Sequence, residues 1–164
     1  MFLSKEKLVT QRISGGLRPL VVGYDDRQLY AFNSTNVIVC KDRDGVSIKY
    51  LLALLNSKTL NWYYVTKFTN RSVLTVNISK TFLEQLPIKS PTAKQHKKIV
   101  DAVDEILGLT SNSKYVNDAR TQVVVRDCEN KIDDLIYRLY GLTDQERATI
   151  EAGTETKLML SGKK

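Results

Sequence analysis

Residues 66–72 carry side-chain types that contact a nucleic acid. The segment places Lys67, Asn70 and Arg71 between an aromatic-rich stretch and a short alternating one. Lysine, arginine and asparagine contact phosphates, and arginine and asparagine also pair with the edges of guanine and adenine. An ordinary polar loop explains the same composition equally well.

Two more polar groups lie nearer the start of the chain. Arg12 and Arg18 flank Gly15-Gly16, and a glycine-rich tip can enter a groove because it lacks bulk, although a plain exposed hairpin is the stronger explanation of this feature alone. The run Asn33–Asn36 has four hydrogen-bonding residues in a strand-like stretch, which a bulge or turn explains equally well. The predicted DNA-binding residues are Arg12, Arg18, Lys67, Asn70 and Arg71 first, then Ser34, Asn36 and Lys80.

Enzymatic patterns are sparse. His96 is the only histidine and lies in a lysine-rich helix start, so we expect a solvated helix-face residue rather than a base. Glu129 and Lys131 have a spacing seen in metal-dependent nucleases, but on a helix such side chains diverge. Asp25-Asp26 and Asp133-Asp134 are expected at a turn and on a solvated helix face. We expect no catalytic residue and no metal site, and this chain alone is not expected to be an enzyme.

The net positive charge lies in the first part of the chain. Residues 1–90 hold 13 basic and 6 acidic side chains, and residues 91–164 hold 12 of each. The first part also carries Trp62 and nine of the twelve Tyr and Phe residues. Cations mixed with aromatic rings are typical of a surface that meets a polyanion, whereas the neutral second part is patterned as a helical scaffold.

Composition predicts a folded protein of a reducing compartment. With 164 residues, 42% hydrophobic and 26% charged, the chain can bury a core. Cys40 and Cys128 lack metal-ligand spacing and lie in apolar stretches, so we expect two buried free thiols. Apolar runs fall far short of the roughly 20 residues that cross a bilayer, and no signal-peptide pattern is present. We expect a cytoplasmic protein.

The first part predicts strands followed by a helix pair. Segments rich in Val, Ile, Tyr, Phe and Thr indicate strands, and short turns would join these strands into an antiparallel sheet. The predicted strands are Lys7–Ile13, Pro19–Tyr24, Leu29–Lys41 and, later in the chain, Ser72–Ile78. Between them, apolar residues at helical spacing predict a helix or helix pair broken near Asn56-Ser57. Trp62 continues its apolar face and is assigned to the core, which leaves Tyr63 or Tyr64 as the exposed ring.

The second part predicts three helices. Thr92 or Ser90 would cap the first, ending at Gly108, and Asn112 or Ser113 would open a longer one ending at Gly141. Thr143 and Glu146 match a capping box for a final helix to about Gly153. The predicted fold class is α+β, a small mostly antiparallel sheet with packed helices followed by a C-terminal helical hairpin region. The predicted divisions are a recognition domain over 5–90, a helical region over 91–153 and a flexible tail over 154–164.

Four separated elements, in order, resemble the TaqI-like C-terminal specificity domain. They are Tyr50–Tyr64 with its Leu54-Leu55-Asn56-Ser57 centre, Thr75–Ile78, Leu83–Ile88, and Gln95 followed by Ile99-Val100. A related order occurs in type I specificity subunits. The resemblance covers about residues 7–140.

The resemblance implies the target recognition domain of an adenine-specific DNA methyltransferase or a type IIG restriction-modification enzyme. Its loops would bind duplex DNA, and another domain would methylate a flipped-out adenine. The helices would space it or dock it against that catalytic domain of the same parent chain. Here no Asn-Pro-Pro-Tyr-type motif and no glycine-rich cofactor loop occur. The chain is therefore expected to be the C-terminal part of a larger enzyme and to hold no cofactor itself. The parent enzyme would bind S-adenosylmethionine, and whether it also binds Mg²⁺ is left open by the sequence.

Three other functions fit the residues. The long second-part helix could pack on a protein partner, with the basic face incidental, or the chain could be a stand-alone RNA binder or a nonspecific nucleic-acid binder. The absence of an RNP-type aromatic strand pattern disfavours RNA.

The resemblance assigns packing residues and no base-reading residues, because the residues that read bases vary with the target. The packing residues are Leu51, Leu54, Leu55, Leu86, Pro87 and Ile88.

Overall fold

The computed structural model describes residues 4–40, 46–69 and 74–155. Within them the fold is α+β with a helical C-terminal region, as the sequence predicts. The strands are β1 (Lys7–Gln11), β2 (Ile13–Ser14), β3 (Val22–Asp25), β4 (Thr35–Ile38) and β5 (Val76–Asn77). The helices are α1 (Ile48–Asn56), α2 (Lys58–Phe68), α3 (Lys80–Leu83), α4 (Ala93–Thr110), α5 (Ala119–Tyr140) and α6 (Asp144–Thr154), with a 3-10 helix over Ser113–Asn117.

The strands form two small antiparallel sheets. In the first, β1 lies between β3 and β4, and Leu8 is opposite Tyr24 on one side and Ile38 on the other. In the second, β2 pairs with β5. The strand predicted over Lys7–Ile13 is therefore divided at Arg12, because its two halves pair with different strands.

The strand predicted over Leu29–Lys41 is much shorter in the structure. Of residues 29–40, Thr35–Ile38 are paired, as β4, and residues 26–34 form a loop, while Lys41 lies outside the described residues. Within the described part of the chain β4 pairs with β1 alone, and its outer edge borders a groove.

The break predicted near Asn56-Ser57 is confirmed. Ser57 ends α1 and begins α2, because its hydroxyl donates to the Leu54 carbonyl at 2.6 Å and accepts from the Leu60 N–H at 3.2 Å. A side chain that serves both helix ends fixes the angle between them.

Two asparagines at this break hold the segment that leads into β3. The Asn56 amide bonds both the N–H and the carbonyl of Val22, at 3.0 and 2.9 Å. The fully buried Asn61 accepts from the Leu20 N–H at 2.8 Å. Since each buried backbone group needs a partner, these amides stand in for a neighbouring strand.

The three C-terminal helices begin and end where local signals place them, with two exceptions. Thr92 caps α4 and Thr143 caps α6, each in a capping box, and Gly141 ends α5 with a φ of 71°. Gly108 does not end α4, which continues to Thr110, because its backbone stays helical rather than left-handed. The long helix begins after Asp118, whose carboxylate accepts from the Arg120 and Thr121 N–H groups, and a 3-10 helix precedes it.

One hydrophobic cluster joins the first sheet to helices of both parts of the chain. Its fully buried members include Leu8, Tyr50, Leu54, Leu60, Tyr64, Ile99 and Ile136. Tyr64 is thus in the core and Tyr63 is half-buried, so neither is the exposed ring that the sequence predicts. Trp62 is half-buried against α6 rather than fully in the core.

Two further expectations about single residues are corrected. His96 is not on a solvated face: its Nε2 lies 3.0 Å from the Ser47 hydroxyl and its ring stacks on Tyr50. Cys128 is buried as predicted, but Cys40 is half-buried; neither forms a disulfide. No helix in the described part of the chain is long and apolar enough to span a membrane.

Gly153→Ala is expected to destabilise the chain by about 1–3 kcal/mol, as overpacking does. The added Cβ would lie 2.7 Å from Cδ1 of the Trp62 indole, so α6 or the ring must move. Gly108→Ala is the matched control, because nothing lies within 4 Å of its new methyl group. It is expected to stabilise by about 0.5–1 kcal/mol through helix propensity. Urea unfolding measures both, and a stabilised Gly153 variant would contradict the packing.

Candidate nucleic-acid interface

A groove of about 860 Å³ borders the outer edge of β4. Its walls are β4, α1, α3, the loop before β4 and the link between β1 and β2. The floor is apolar, from Val37, Leu51, Leu55, Leu83 and Ile88 among others. The polar lining includes Arg12, Asn33, Asn36, Lys80 and Glu84. Three of the eight predicted DNA-binding residues, Arg12, Asn36 and Lys80, therefore lie in one groove.

Arg12 is fixed at the junction of the two sheets. Its N–H donates to the Ser34 carbonyl at 3.0 Å, and its carbonyl accepts from the Ile78 N–H at 2.8 Å. Its side chain is exposed and makes no hydrogen bond or ion pair within the described residues. The guanidinium is therefore available to a phosphate or to a guanine edge, and the bonded backbone fixes the point from which the side chain extends.

Asn36 has a structural bond and a free acceptor. Its Nδ2 donates to the Ile78 carbonyl at 2.7 Å, which ties β4 to the second sheet. Its Oδ1 makes no hydrogen bond with the described part of the chain. Ser34 is exposed beside it, holds Arg12 through its carbonyl, and does not line the groove.

Lys80 on α3 contributes the second cation of the groove. Its side chain is 84% exposed and lies 3.5 Å from the Glu84 carboxylate, one helical turn away. An exposed pair of this kind contributes little and is easily exchanged for another anion.

The other predicted residues lie elsewhere. Lys67 is exposed near the end of α2 and outside the groove, and Asn70 and Arg71 lie outside the described residues. Arg18 is exposed but donates to the Asn56 carbonyl at 2.7 Å, beside a second cavity of about 300 Å³. The predicted cluster of Arg12 with Arg18 is thus separated into two places.

That second cavity contains a buried carboxylate with a structural role. Asp133 is 5% exposed, and its Oδ1 accepts from the Lys58 N–H at 2.9 Å at the start of α2. Burial raises the pKa of Asp133, and the Lys58 N–H opposes this. The solvated helix face predicted for Asp133 is therefore wrong, because α2 needs its oxygen as a cap.

A buried ion pair at the end of β3 holds the start of the loop over residues 26–34. Lys7 is 0% exposed, and its Nζ lies 2.7 Å from the Asp25 carboxylate, which accepts from the Arg27 and Leu29 N–H groups at 2.8 and 2.9 Å. Hydrogen bonding to Lys7 lowers the pKa of Asp25 despite its burial. Asp25 lies at a turn, as predicted, but its carboxylate is buried and accepts the hydrogen bonds that hold the turn.

Sequence reasoning missed Phe32, which also lines the groove, and it considered Asn33 within the run Asn33–Asn36 but left it out of the predicted DNA-binding residues. The strand prediction over Leu29–Lys41 hid them, because it assigned them to a sheet face. The four consecutive polar residues Asn33–Asn36 were the available signal that the strand begins later.

Comparison with known proteins identifies the family. The sequence model of the TaqI-like C-terminal specificity domain matches residues 1–88, more than half of the chain and all of the groove. The chain belongs to the TaqI-like C-terminal specificity domain family. A protein of Methanocaldococcus jannaschii named as a type II restriction enzyme and methyltransferase is 26% identical over 142 residues, which are 85% of this chain. They are 11% of that protein, so the chain spans about a tenth of this relative. The resemblance inferred from the residues is confirmed.

Proposed function

We propose that this specificity domain binds duplex DNA in the groove beside β4 and thereby selects the sequence in which another domain methylates an adenine at N6. The observation that carries the proposal is the convergence of Arg12, Asn36 and Lys80 on one groove. The two cations would contact phosphates or a guanine edge, and the asparagine amide is the group that pairs with adenine.

The chemistry itself would belong to other parts of the parent chain. S-adenosylmethionine, and Mg²⁺ if the parent also cleaves, would bind there, as would the flipped base. This domain would contribute register and sequence choice. We place the parent in the cytoplasm, where a restriction-modification enzyme meets its DNA.

A second function for the helical region is docking on that catalytic domain. Val116, Val123 and Val124 are 72%, 52% and 42% exposed around the start of α5. Exposed apolar groups at the end of a helix hairpin favour a protein contact. Such a contact would depend only weakly on salt.

Selection of duplexes from a randomised DNA pool at low salt tests the proposal. We expect the 164-residue chain to enrich a short motif that contains adenine. If about five phosphates are contacted, the logarithm of affinity should fall against the logarithm of salt with a slope of about −4 to −5. Retention without enrichment would indicate nonspecific basic binding. Absence of retention, or stronger competition by single-stranded RNA than by duplex DNA, would contradict the proposal.

A further inference from the structure

The loop over residues 26–34 holds three large apolar side chains in solvent. Leu29 is 53% exposed, Tyr30 81% and Phe32 83%. Single exposed apolar residues are common on proteins, but three within four positions form a patch that favours a contact. The family match identifies no contact for these residues.

The loop is ordered at both ends, so it presents these rings instead of collapsing onto the core. At its start, the Asp25 carboxylate holds the N–H groups of Arg27 and Leu29, and Gln28 between them has a φ of 58°, which is rare for a residue other than glycine. At its end, the Phe32 carbonyl accepts from the N–H and the hydroxyl of Thr35, at 3.0 and 2.6 Å. An ordered loop loses little conformational entropy when it binds.

The charges around the rings favour a polyanion over a protein surface of mixed charge. Phe32 lines the same groove as Arg12 and Lys80, and Ser34 bonds the Arg12 N–H. Arg27 is exposed in the loop itself, as is Asp26. Glu84, the carboxylate that lines the groove within the described residues, already faces Lys80.

An exposed flat ring between cations has a defined use on duplex DNA. Apolar side chains inserted at a base step unstack it and bend the duplex, while cations hold the flanking phosphates. Tyr30 and Phe32 are two positions apart in a segment outside any helix, so the same loop carries both exposed rings.

We propose that Phe32, supported by Tyr30, is a wedge that inserts between base pairs of the recognised duplex and opens the stack beside the target adenine. This inference rests on the proposed DNA binding and adds a positioning residue to it. The wedge makes an adenine easier to extrude, and it touches bases without reading their edges.

Fluorescence of 2-aminopurine, which rises when the base is unstacked, tests the wedge. The probe replaces adenines one at a time in a duplex retained by the selection. We expect the unsubstituted chain to raise the fluorescence at one or two positions and Phe32→Ala to abolish the rise. Phe32→Ala should also weaken binding by about tenfold, the size of one lost aromatic–base contact, with an unchanged salt slope. Phe32→Leu keeps an apolar wedge and should retain part of the rise.

Val21→Ala is the matched control, since Val21 is 68% exposed and does not line the groove. Binding without any rise in fluorescence, or an equal rise with Phe32→Ala, would overturn the wedge and leave the proposed function intact. If no duplex is retained, the proposed function fails and the wedge fails with it. Because Phe32 is largely in solvent, its replacement should leave the circular dichroism spectrum and the unfolding midpoint unchanged.

Discussion

Asn61→Ala is expected to lower the free energy of unfolding by about 3 kcal/mol, which is roughly a 150-fold change in the folding equilibrium. Asn61 is fully buried on α2. Its Oδ1 accepts from the Leu20 N–H at 2.8 Å, and its Nδ2 donates to the carbonyls of Leu55 and Ser57 at 3.2 and 3.0 Å. Alanine would leave the buried Leu20 N–H without its acceptor and would remove a donor from the Leu55 carbonyl, and each of these groups carries a desolvation penalty, whereas the Ser57 carbonyl still accepts from the backbone N–H of residue 61 at 3.1 Å.

Urea unfolding, followed by circular dichroism and by the fluorescence of Trp62, measures this change. Asn130→Ala is the matched control, because Asn130 is exposed on α5 and is expected to change stability by less than about 0.5 kcal/mol. A loss below about 1 kcal/mol for Asn61→Ala would show that water or a rearranged chain satisfies these groups.

The same amide links stability to the site. Asn61 and Asn56 hold Leu20 and Val22, and the chain from Val22 leads through β3 to Asp25, where the ordered loop begins. The Leu54-Leu55-Asn56-Ser57 element is thus a polar clamp on β3, through Asn56, as well as a packing segment. Loss of the clamp should reduce DNA binding only through unfolding, so affinity per folded molecule should be unchanged.

The sequence predicted those features that depend on neighbours along the chain. The capping boxes at Thr92 and Thr143, the left-handed Gly141 and the helix break at Ser57 each arise from groups within a few residues of one another. Such contacts produce recognisable spacing in sequence.

Features that depend on distant partners could not be predicted from spacing. The division of the first strand at Arg12 follows from the pairing of β2 with β5, and the Asn61 bond to Leu20 spans 41 positions. Burial of Asp25 depends on Lys7 in another strand. The groove was likewise hidden: Arg12, Asn36 and Lys80 were each proposed from their chemistry, but only the fold brings them together.

The double replacement of Arg12 and Lys80 by alanine is expected to weaken duplex binding by about 100-fold at low salt. An arginine bidentate to a base typically contributes 1–3 kcal/mol, and each lost phosphate contact weakens binding and flattens the salt slope by about one. Both side chains are exposed, so the fold should persist. Fluorescence anisotropy with the selected duplex, over a series of salt concentrations, measures affinity and slope together.

The control must remove equal charge from a different face. Lys131→Ala with Arg138→Ala does so, because both residues are exposed on α5 and neither lines the groove. If the two double variants weaken binding equally, the chain attracts DNA through its overall charge, and the groove is not the contact surface.

Conservative replacements then separate phosphate contact from base reading. Arg12→Lys keeps the charge but loses the planar fork that matches a guanine edge, whereas Lys80→Arg keeps a cation able to bind phosphate. Lys80 is a point charge that already faces the Glu84 carboxylate, whereas the Arg12 fork makes no hydrogen bond within the described residues. We therefore expect Arg12→Lys to relax the selected motif at one position and Lys80→Arg to leave the motif unchanged. An unchanged motif in both variants would restrict the two cations to phosphate contact and assign base reading to the asparagines beside them.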